Sequence, residues 1–272
     1  MNDFQRIAVA STFSPRFLPL LAETHQLAAK LERPFAVIHA GERTAENETR
    51  FDQAFAQLGF RAPIHWASGS PAEAILSCAD ENGIDLLIAG ALEKKTEGRH
   101  FLGHVARVLI RDARCSLMFL TKPSIDPAPF RIIAAITDFS ELSRASLRAA
   151  IDFSERAEAE KIHVLRVFTV FAQALAEPHQ FFSGGQPGQA ALAAEEERLQ
   201  KFVVEIGVSK VPVDARCIEG TTGFAASDFV QSIAADLLVV PAGPANAGQV
   251  FPTGLEWLLN VIPSNVLVFR AR

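Results

Sequence analysis

The stretch GSPAEAILSCADENGIDLLIAGALE, at residues 69–93, is matched later in the chain and decides how the fold is interpreted. A shift of 151 residues places it without a gap on GTTGFAASDFVQSIAADLLVVPAGP, at residues 220–244. The same shift places Gly103 on Gly254, and residues 6–10 match residues 131–135 at a shift of 125. The chain is therefore predicted to contain two copies of one domain.

The join between the two copies is marked by prolines. Residues 122–129 contain three prolines in eight residues, a composition typical of a linker. We predict a first domain at residues 1–121, a linker at 122–130 and a second domain at 131–272, each long enough to bury its own core. The extra length of the second domain is assigned to an insertion at about residues 168–211.

The composition limits the class of protein. With 272 residues, of which 49% are hydrophobic and 21% charged, the chain is expected to be globular and soluble. Its apolar runs are too short to cross a bilayer and its start lacks the features of a signal peptide, so we expect a cytoplasmic protein. A net charge of −5 offers no overall basic surface for nucleic acid. The three cysteines are widely spaced, which predicts neither a disulfide nor a cysteine metal site.

Each copy alternates short β-branched runs with segments of helical period. This is the pattern of an α/β domain, in which helices cover both faces of a parallel sheet. Five strands are predicted per copy, at residues 7–10, 35–39, 64–67, 86–89 and 117–120, and at residues 132–136, 162–167, 213–218, 237–240 and 266–269. A loop is predicted at residues 172–189, followed by a long helix from about Ala190 to Ile206.

Four motifs occur along the chain in a specific order. They are DFS after a first strand (138–140), GSPAEAI before a helix (69–75), DLLIAG as a strand (85–90) and a helix-opening glycine (Gly103 and Gly254). Together they resemble the universal stress protein domain, once in each half. The resemblance implies a tandem member of that family, with two five-stranded domains of the adenine-nucleotide alpha-hydrolase-like fold related by an approximate two-fold axis. It also implies that the last strands of the two domains pair within the chain, which would cover their apolar edges.

ATP-binding members of this family carry Gly-x-x-Gly, nine further residues, and then Gly-Ser or Gly-Thr. Glycines let the backbone approach the phosphates, and free N–H groups at a helix start favour an anion. The spacing is kept in both copies, since nine residues separate Glu93 from Gly103 and Pro244 from Gly254. The resemblance therefore implies an adenine-nucleotide site, but the residue types must also fit.

Several residues of this pattern have changed. Glu93 brings a carboxylate to where phosphate would approach, and Leu255 supplies no hydroxyl group. Pro241 and Pro244 each remove an N–H donor and fix φ. Neither copy keeps a whole ATP site, so any nucleotide binding is expected to be degenerate.

The family pattern also places an acid at the end of the first strand, where it contacts adenosine. The second copy keeps this acid as Asp138, whereas the first copy has Thr12 and Phe13 there. The cofactor-binding residues implied by the resemblance are Asp138, Val167 and Gly254 in the second copy, or Gly90, Gly103, His104 and Val105 in the first. Alternatively, Asp138 is a helix-cap or loop residue without a ligand, and the glycines serve a tight turn.

Residues 94–114 carry six basic side chains, in what is expected to be a flexible loop before a helix. Such a segment favours an anion in the first copy, although a charge run is also typical of a solvated face. His100 and His104 are four residues apart, the spacing of two metal ligands on a helix. No nearby cysteine or acidic pair completes a tetrahedral site, so no metal is predicted.

The sequence thus predicts a stress-response sensor or binding module rather than a dedicated catalyst. The expected ligand is ATP, accompanied by Mg²⁺, with weak ATPase activity at most. In an open parallel sheet such a ligand binds at the carboxyl ends of the strands. The alternative is a nucleotide-free scaffold for a protein partner. The expected assembly is an internal pseudo-dimer that can also form a homodimer.

Overall fold

The computed structural model describes residues 4–94, 99–168, 187–220, 224–246, 248–252, 255 and 262–271. Within these residues the strands are β1 (Ile7–Ser11), β2 (Phe35–Ala40), β3 (Ile64–Ala67), β4 (Leu86–Gly90), β5 (Leu92–Lys94), β6 (Arg99–Phe101), β7 (Ser116–Leu120), β8 (Ile132–Ile136), β9 (Lys161–Phe168), β10 (Val213–Glu219), β11 (Leu237–Pro241) and β12 (Asn265–Phe269). The helices are α1 (Phe17–Lys30), α2 (Ala45–Leu58), α3 (Pro71–Glu81), α4 (His104–Asp112), α5 (Glu141–Arg156), α6 (Pro187–Ile206) and α7 (Phe224–Ser232).

One ten-stranded sheet runs through the whole molecule. Its order is β10-β9-β8-β11-β12-β7-β4-β1-β2-β3, so each half contributes five neighbouring strands in the same relative order. Within this sheet all pairings inside a half are parallel, and the junction between the halves, β12 with β7, is antiparallel. Met118 lies opposite Leu267 at this junction. Antiparallel pairing of equivalent strands is what a two-fold axis produces, and it confirms the predicted pseudo-symmetric arrangement.

Helices cover both faces of this sheet and bury a hydrophobic cluster on each. The face covered by α1, α2, α5 and α6, called here the α1 face, buries side chains such as Leu21, Phe51 and Phe153. The opposite face, the α3 face, is covered by α3, α4 and α7 and buries Ile75 and Leu109. Both clusters include residues of both halves, so the two halves share their cores.

The repeated Asp-Leu-Leu motif has a structural role in each half. Asp85 accepts hydrogen bonds from the backbone amides of Gln5 and Arg6, at 2.7 and 2.8 Å. Asp236, its counterpart, accepts from the amides of Arg131 and Ile132, both at 2.8 Å. Because a carboxylate satisfies donors at the start of the neighbouring first strand, the motif holds the centre of each half together.

The ten predicted strands are confirmed, with ends that differ by at most one residue. Two expectations were wrong. The flexible loop predicted after β4 begins and ends in a short antiparallel hairpin, β5 with β6, whose three-residue strands are too short to give a periodic signal. Helix α6 begins at Pro187, so the loop predicted at residues 172–189 is wrong at its last three positions. The rest of that loop lies outside the described residues.

No helix in the described part of the chain has both the length and the apolar character needed to cross a membrane.

Candidate functional site

The crevice of each half lies where the chain changes from one face of the sheet to the other. In the first half, α1 and α2 pack on the α1 face, while α3 and α4 pack on the α3 face. Strands β1 and β4 are neighbours at this point, as β8 and β11 are in the second half. Ligands of open α/β sheets bind outside the carboxyl ends of such strands, so the residues that follow β1, β4, β8 and β11 are the candidates.

Asp138 follows β8 by two residues and is held in one orientation by hydroxyl groups. Its Oδ1 accepts hydrogen bonds from the Ser140 and Ser143 hydroxyls, both at 2.5 Å, and from the Ser140 amide at 3.0 Å. Ser140 is also the N-cap of α5, where its Oγ accepts from the Ser143 amide at 3.2 Å. Phe139 between them has φ 66°, an unusual conformation for a bulky residue. This local strain lets Asp138 and Ser140 face each other.

The carboxylate of Asp138 is ionised and only half satisfied. Burial acts to raise its pKa, but the hydrogen bonds from Ser140 and Ser143 outweigh burial and hold the pKa below its usual value. All of its hydrogen bonds within the described chain end on Oδ1. Oδ2 therefore has no hydrogen-bond partner among the described residues. Ser140 and not Asp138 is the N-cap of α5, so the interpretation of Asp138 as a helix cap is wrong. Asp138 instead accepts from the amide and hydroxyl of that cap residue.

Val167 of β9 lies at the same end of the sheet as Asp138. In the parallel register of β8 and β9, Ile136 pairs with Leu165, so Asp138 and Val167 are each two residues further along. Val167 is partly buried and packs on the α3 face of the sheet. The strand register thus brings these two residues to the same end of the sheet, whereas Gly254 lies outside the described residues.

The loop that follows β11 has its backbone donors already occupied. The Ala242 amide donates to the Phe269 carbonyl at 2.9 Å, and the Gly243 amide donates to the Val250 carbonyl at 2.7 Å. Pro241 and Pro244 have no amide hydrogen at all. Residues 241–244 therefore offer no free N–H group, although they stand where the family pattern places a phosphate-binding loop.

In the first half, aromatic side chains fill the position equivalent to Asp138. The Phe13 ring lies 4.6 Å from the ring of His39 at the end of β2 and 5.0 Å from Phe51 of α2, measured between centroids. The guanidinium of Arg50 covers Phe13 at 4.5 Å. Burial lowers the pKa of His39, which favours the neutral imidazole in this apolar setting. The strand ends of β1 and β2 thus carry a packed aromatic cluster and no acid.

The other candidates of the first half lie around β4 and α4. Gly90 is the last residue of β4. The carbonyl of the next residue, Ala91, accepts a hydrogen bond from the Arg16 guanidinium at 2.6 Å. Gly103 is the N-cap of α4 with φ −68° and ψ 175°, a conformation open to any residue, so the turn itself does not require glycine there. His104 is exposed and Val105 partly buried in the first turn. The helix does begin after Gly103, as the sequence predicted.

A charged cluster beside Asp138 was missed by the sequence analysis. Arg166 of β9 pairs with the buried Glu195 of α6 at 2.6 Å, and its guanidinium lies 4.9 Å from the Phe139 ring. Arg198 of α6 approaches the same ring at 4.3 Å. These residues are separated by 27 to 60 positions from Asp138 and Phe139. No sequence spacing connects them, because α6 is brought over the strand ends only by the tertiary fold.

No group of three or more His, Cys, Asp or Glu side chains in the described part of the chain is arranged to hold a metal ion. His104 is described and exposed, whereas the side chain of His100 lies outside the described residues.

Residues 18–120 match the universal stress protein family. The first half of the chain is a universal stress protein domain. A protein of unknown function from Pseudomonas aeruginosa PAO1 has a similar structure over 98% of this chain and 93% of its own, with a TM-score of 0.71 and 18% identity. A universal stress protein from Archaeoglobus fulgidus DSM 4304 matches over 98% of both chains, with a TM-score of 0.66 and 14% identity. No curated protein matches the sequence.

These whole-chain likenesses show a shared fold across both halves. The fold predicted from the sequence is therefore confirmed over both halves, and the family resemblance is confirmed for the first half.

Proposed function

We propose that this protein is a cytoplasmic stress-response binding module in which only the second half holds an adenine-nucleotide-type ligand. The single observation that carries the proposal is the state of Asp138, an ionised, half-buried carboxylate with Oδ2 unsatisfied by the described residues. A carboxylate accepts hydrogen bonds but donates none. It therefore suits the ribose hydroxyls and the adenine amino group, both of which are donors.

The first half is not expected to bind this ligand, because its site is filled by its own side chains. Phe13 occupies the position equivalent to Asp138 and packs against His39 and Phe51, so an incoming nucleoside would have to displace a formed aromatic cluster. Gly90, Gly103, His104 and Val105 keep only the helix-start part of the family site. Binding is therefore expected with one ligand per chain.

Calorimetric titration of the purified full chain with ATP and Mg²⁺ tests the proposal. We expect about one site per chain, and loss of the binding heat in Asp138→Asn, which keeps an amide oxygen for the Ser140 and Ser143 hydroxyls. Phe13→Ala is the matched control at the equivalent position and is expected to leave binding intact. Two equal sites, or unchanged binding in Asp138→Asn, would refute the proposal.

The filled site of the first half also favours a second function, a nucleotide-free scaffold for a protein partner. The two are separated by the same titration, since a scaffold shows no heat and no melting shift with ATP or with adenosine.

A further inference from the structure

We infer that the second half recognises the nucleoside end of its ligand and gains no affinity from phosphate groups, so that adenosine binds at least as tightly as ATP. The inference rests on the proposed function and narrows its ligand class. It follows from the hydrogen bonds that the backbone amides of residues 241–244 already make.

Phosphate binding by loops of this kind depends on free backbone N–H groups. At the carboxyl end of β11, Ala242 and Gly243 donate to Phe269 and Val250, and the flanking prolines have no amide hydrogen. A phosphate would have to break one of these hydrogen bonds before it gained a donor from residues 241–244. Exchanging one such bond for another gives little net free energy.

The loop is also linked to the first half, in part through Arg270, which follows β12 in the same half as the loop. Arg270, which is 5% exposed, donates from Nε to the Gly243 carbonyl at 2.8 Å and from Nη2 to the Ile110 carbonyl at the end of α4. The Asn246 amide donates to the Arg111 carbonyl at 3.1 Å. The loop is therefore bound to the first half at two points, and turning its amides toward a ligand would disturb both.

The position that follows the predicted helix-opening glycine supplies no further donor. Leu255 stands where the family pattern has serine or threonine, and its amide donates to the Pro252 carbonyl at 3.1 Å. It therefore brings neither a hydroxyl nor a free N–H group to a phosphate.

Neighbouring charges do not replace the missing donors. Arg166 is paired with Glu195 at 2.6 Å, and Arg144 with Glu205 at 3.0 Å. The Asp138 carboxylate itself repels a triphosphate. Among the described residues beside Phe139, Arg198 is the cation without an ion pair, so it is the side chain there through which phosphate could still be attracted.

The test compares adenosine, AMP and ATP with Mg²⁺ by calorimetric titration of the full chain at low and high salt. We expect dissociation constants for the three that agree within about threefold, and little dependence on salt. ATP binding more than tenfold tighter than adenosine overturns the inference and leaves the proposed function standing. Failure of all three to bind overturns both.

Arg198→Gln provides the second arm. We expect the ratio of ATP to adenosine affinity to stay the same in this variant. A fall in ATP affinity alone would show that Arg198 holds a phosphate, and would overturn the inference. Adenosine binding is measured on the same sample, so a folding defect is recognised when both affinities are lost and the Tm without ligand is lowered. In that case the ratio of ATP to adenosine affinity is measured in Arg198→Lys, which keeps the charge.

Discussion

Asp138 and Ser143 are bound to each other in both directions. The Ser143 hydroxyl donates to Asp138 Oδ1 at 2.5 Å, and the Asp138 amide donates to Ser143 Oγ at 3.1 Å. Ser143 lies in the first turn of α5 and is fully buried. The pair therefore joins the loop after β8 to the helix, and fixes the direction in which the candidate ligand-binding carboxylate points.

Removing this hydroxyl is predicted to weaken the fold more than removing an ordinary buried hydroxyl. Ser143→Ala deletes a hydrogen bond to an ionised group, which we expect to cost about 2 kcal/mol of unfolding free energy. Ser154→Ala is the matched control, since Ser154 is equally buried in the same helix but donates to a neutral acceptor, the Ala150 carbonyl. We expect about 1 kcal/mol there. Urea denaturation measures the loss of unfolding free energy in each variant. Equal losses would contradict the role of the Asp138 charge.

The aromatic cluster of the first half is predicted to stabilise that half without serving the ligand. Phe13→Ala removes ring contacts with Phe17, His39 and Phe51, and because Phe13 is partly exposed we expect a loss of about 2 kcal/mol. Phe224→Ala, at a position 56% exposed, is expected to cost less than about 0.5 kcal/mol. The measurement is urea denaturation. If Phe13→Ala proved as mild as Phe224→Ala, the cluster would not be a packed core element.

Arg270 is predicted to contribute more to the unfolding free energy than an exposed arginine does. Arg270→Met keeps the length of the side chain but leaves the Gly243 and Ile110 carbonyls without their donor, which we expect to cost about 2 kcal/mol. Arg61→Met breaks an exposed ion pair with Asp52 and is expected to cost less than about 1 kcal/mol. Thermal melting of both variants at one pH provides the comparison. A Tm for Arg270→Met that equals that of Arg61→Met would show that the junction does not need this side chain.

The sequence was sufficient for the strands because each carries its own signal of short β-branched runs bounded by turn residues. It also located Asp138, since the acid stands at a fixed place in a motif. It could not show that Phe13 packs into an aromatic cluster at the equivalent position, because His39 and Phe51 come from other elements. Nor could it show that the Gly243 amide is occupied, because its acceptor, Val250, is a backbone carbonyl placed by the loop. Both facts depend on tertiary contacts, and together they determine which part of the family's nucleotide site this chain keeps.

The remaining prediction concerns Glu23, which is 6% exposed in α1 and faces the cleft of about 640 Å³ beside the linker between the halves. Burial raises its pKa from 4.5 to about 7, opposed by the Ser124 amide, which donates to Oε2 at 3.1 Å. The folded state therefore holds a proton that the unfolded state has released between these two pH values. Stability is lost as the pH rises through this window, and the whole penalty is present above pH 7.

Glu23→Gln keeps an oxygen for the Ser124 amide but removes the buried charge. We expect the variant to be more stable than the natural chain by about 3 kcal/mol at pH 8, and by less than about 1 kcal/mol at pH 5, where the folded-state carboxyl is already neutral. Urea denaturation at the two pH values measures the difference, and Glu42→Gln at an exposed position is the control, expected to change little at either pH. A gain at pH 8 no larger than that at pH 5 would mean that Glu23 acts through packing and not through its charge.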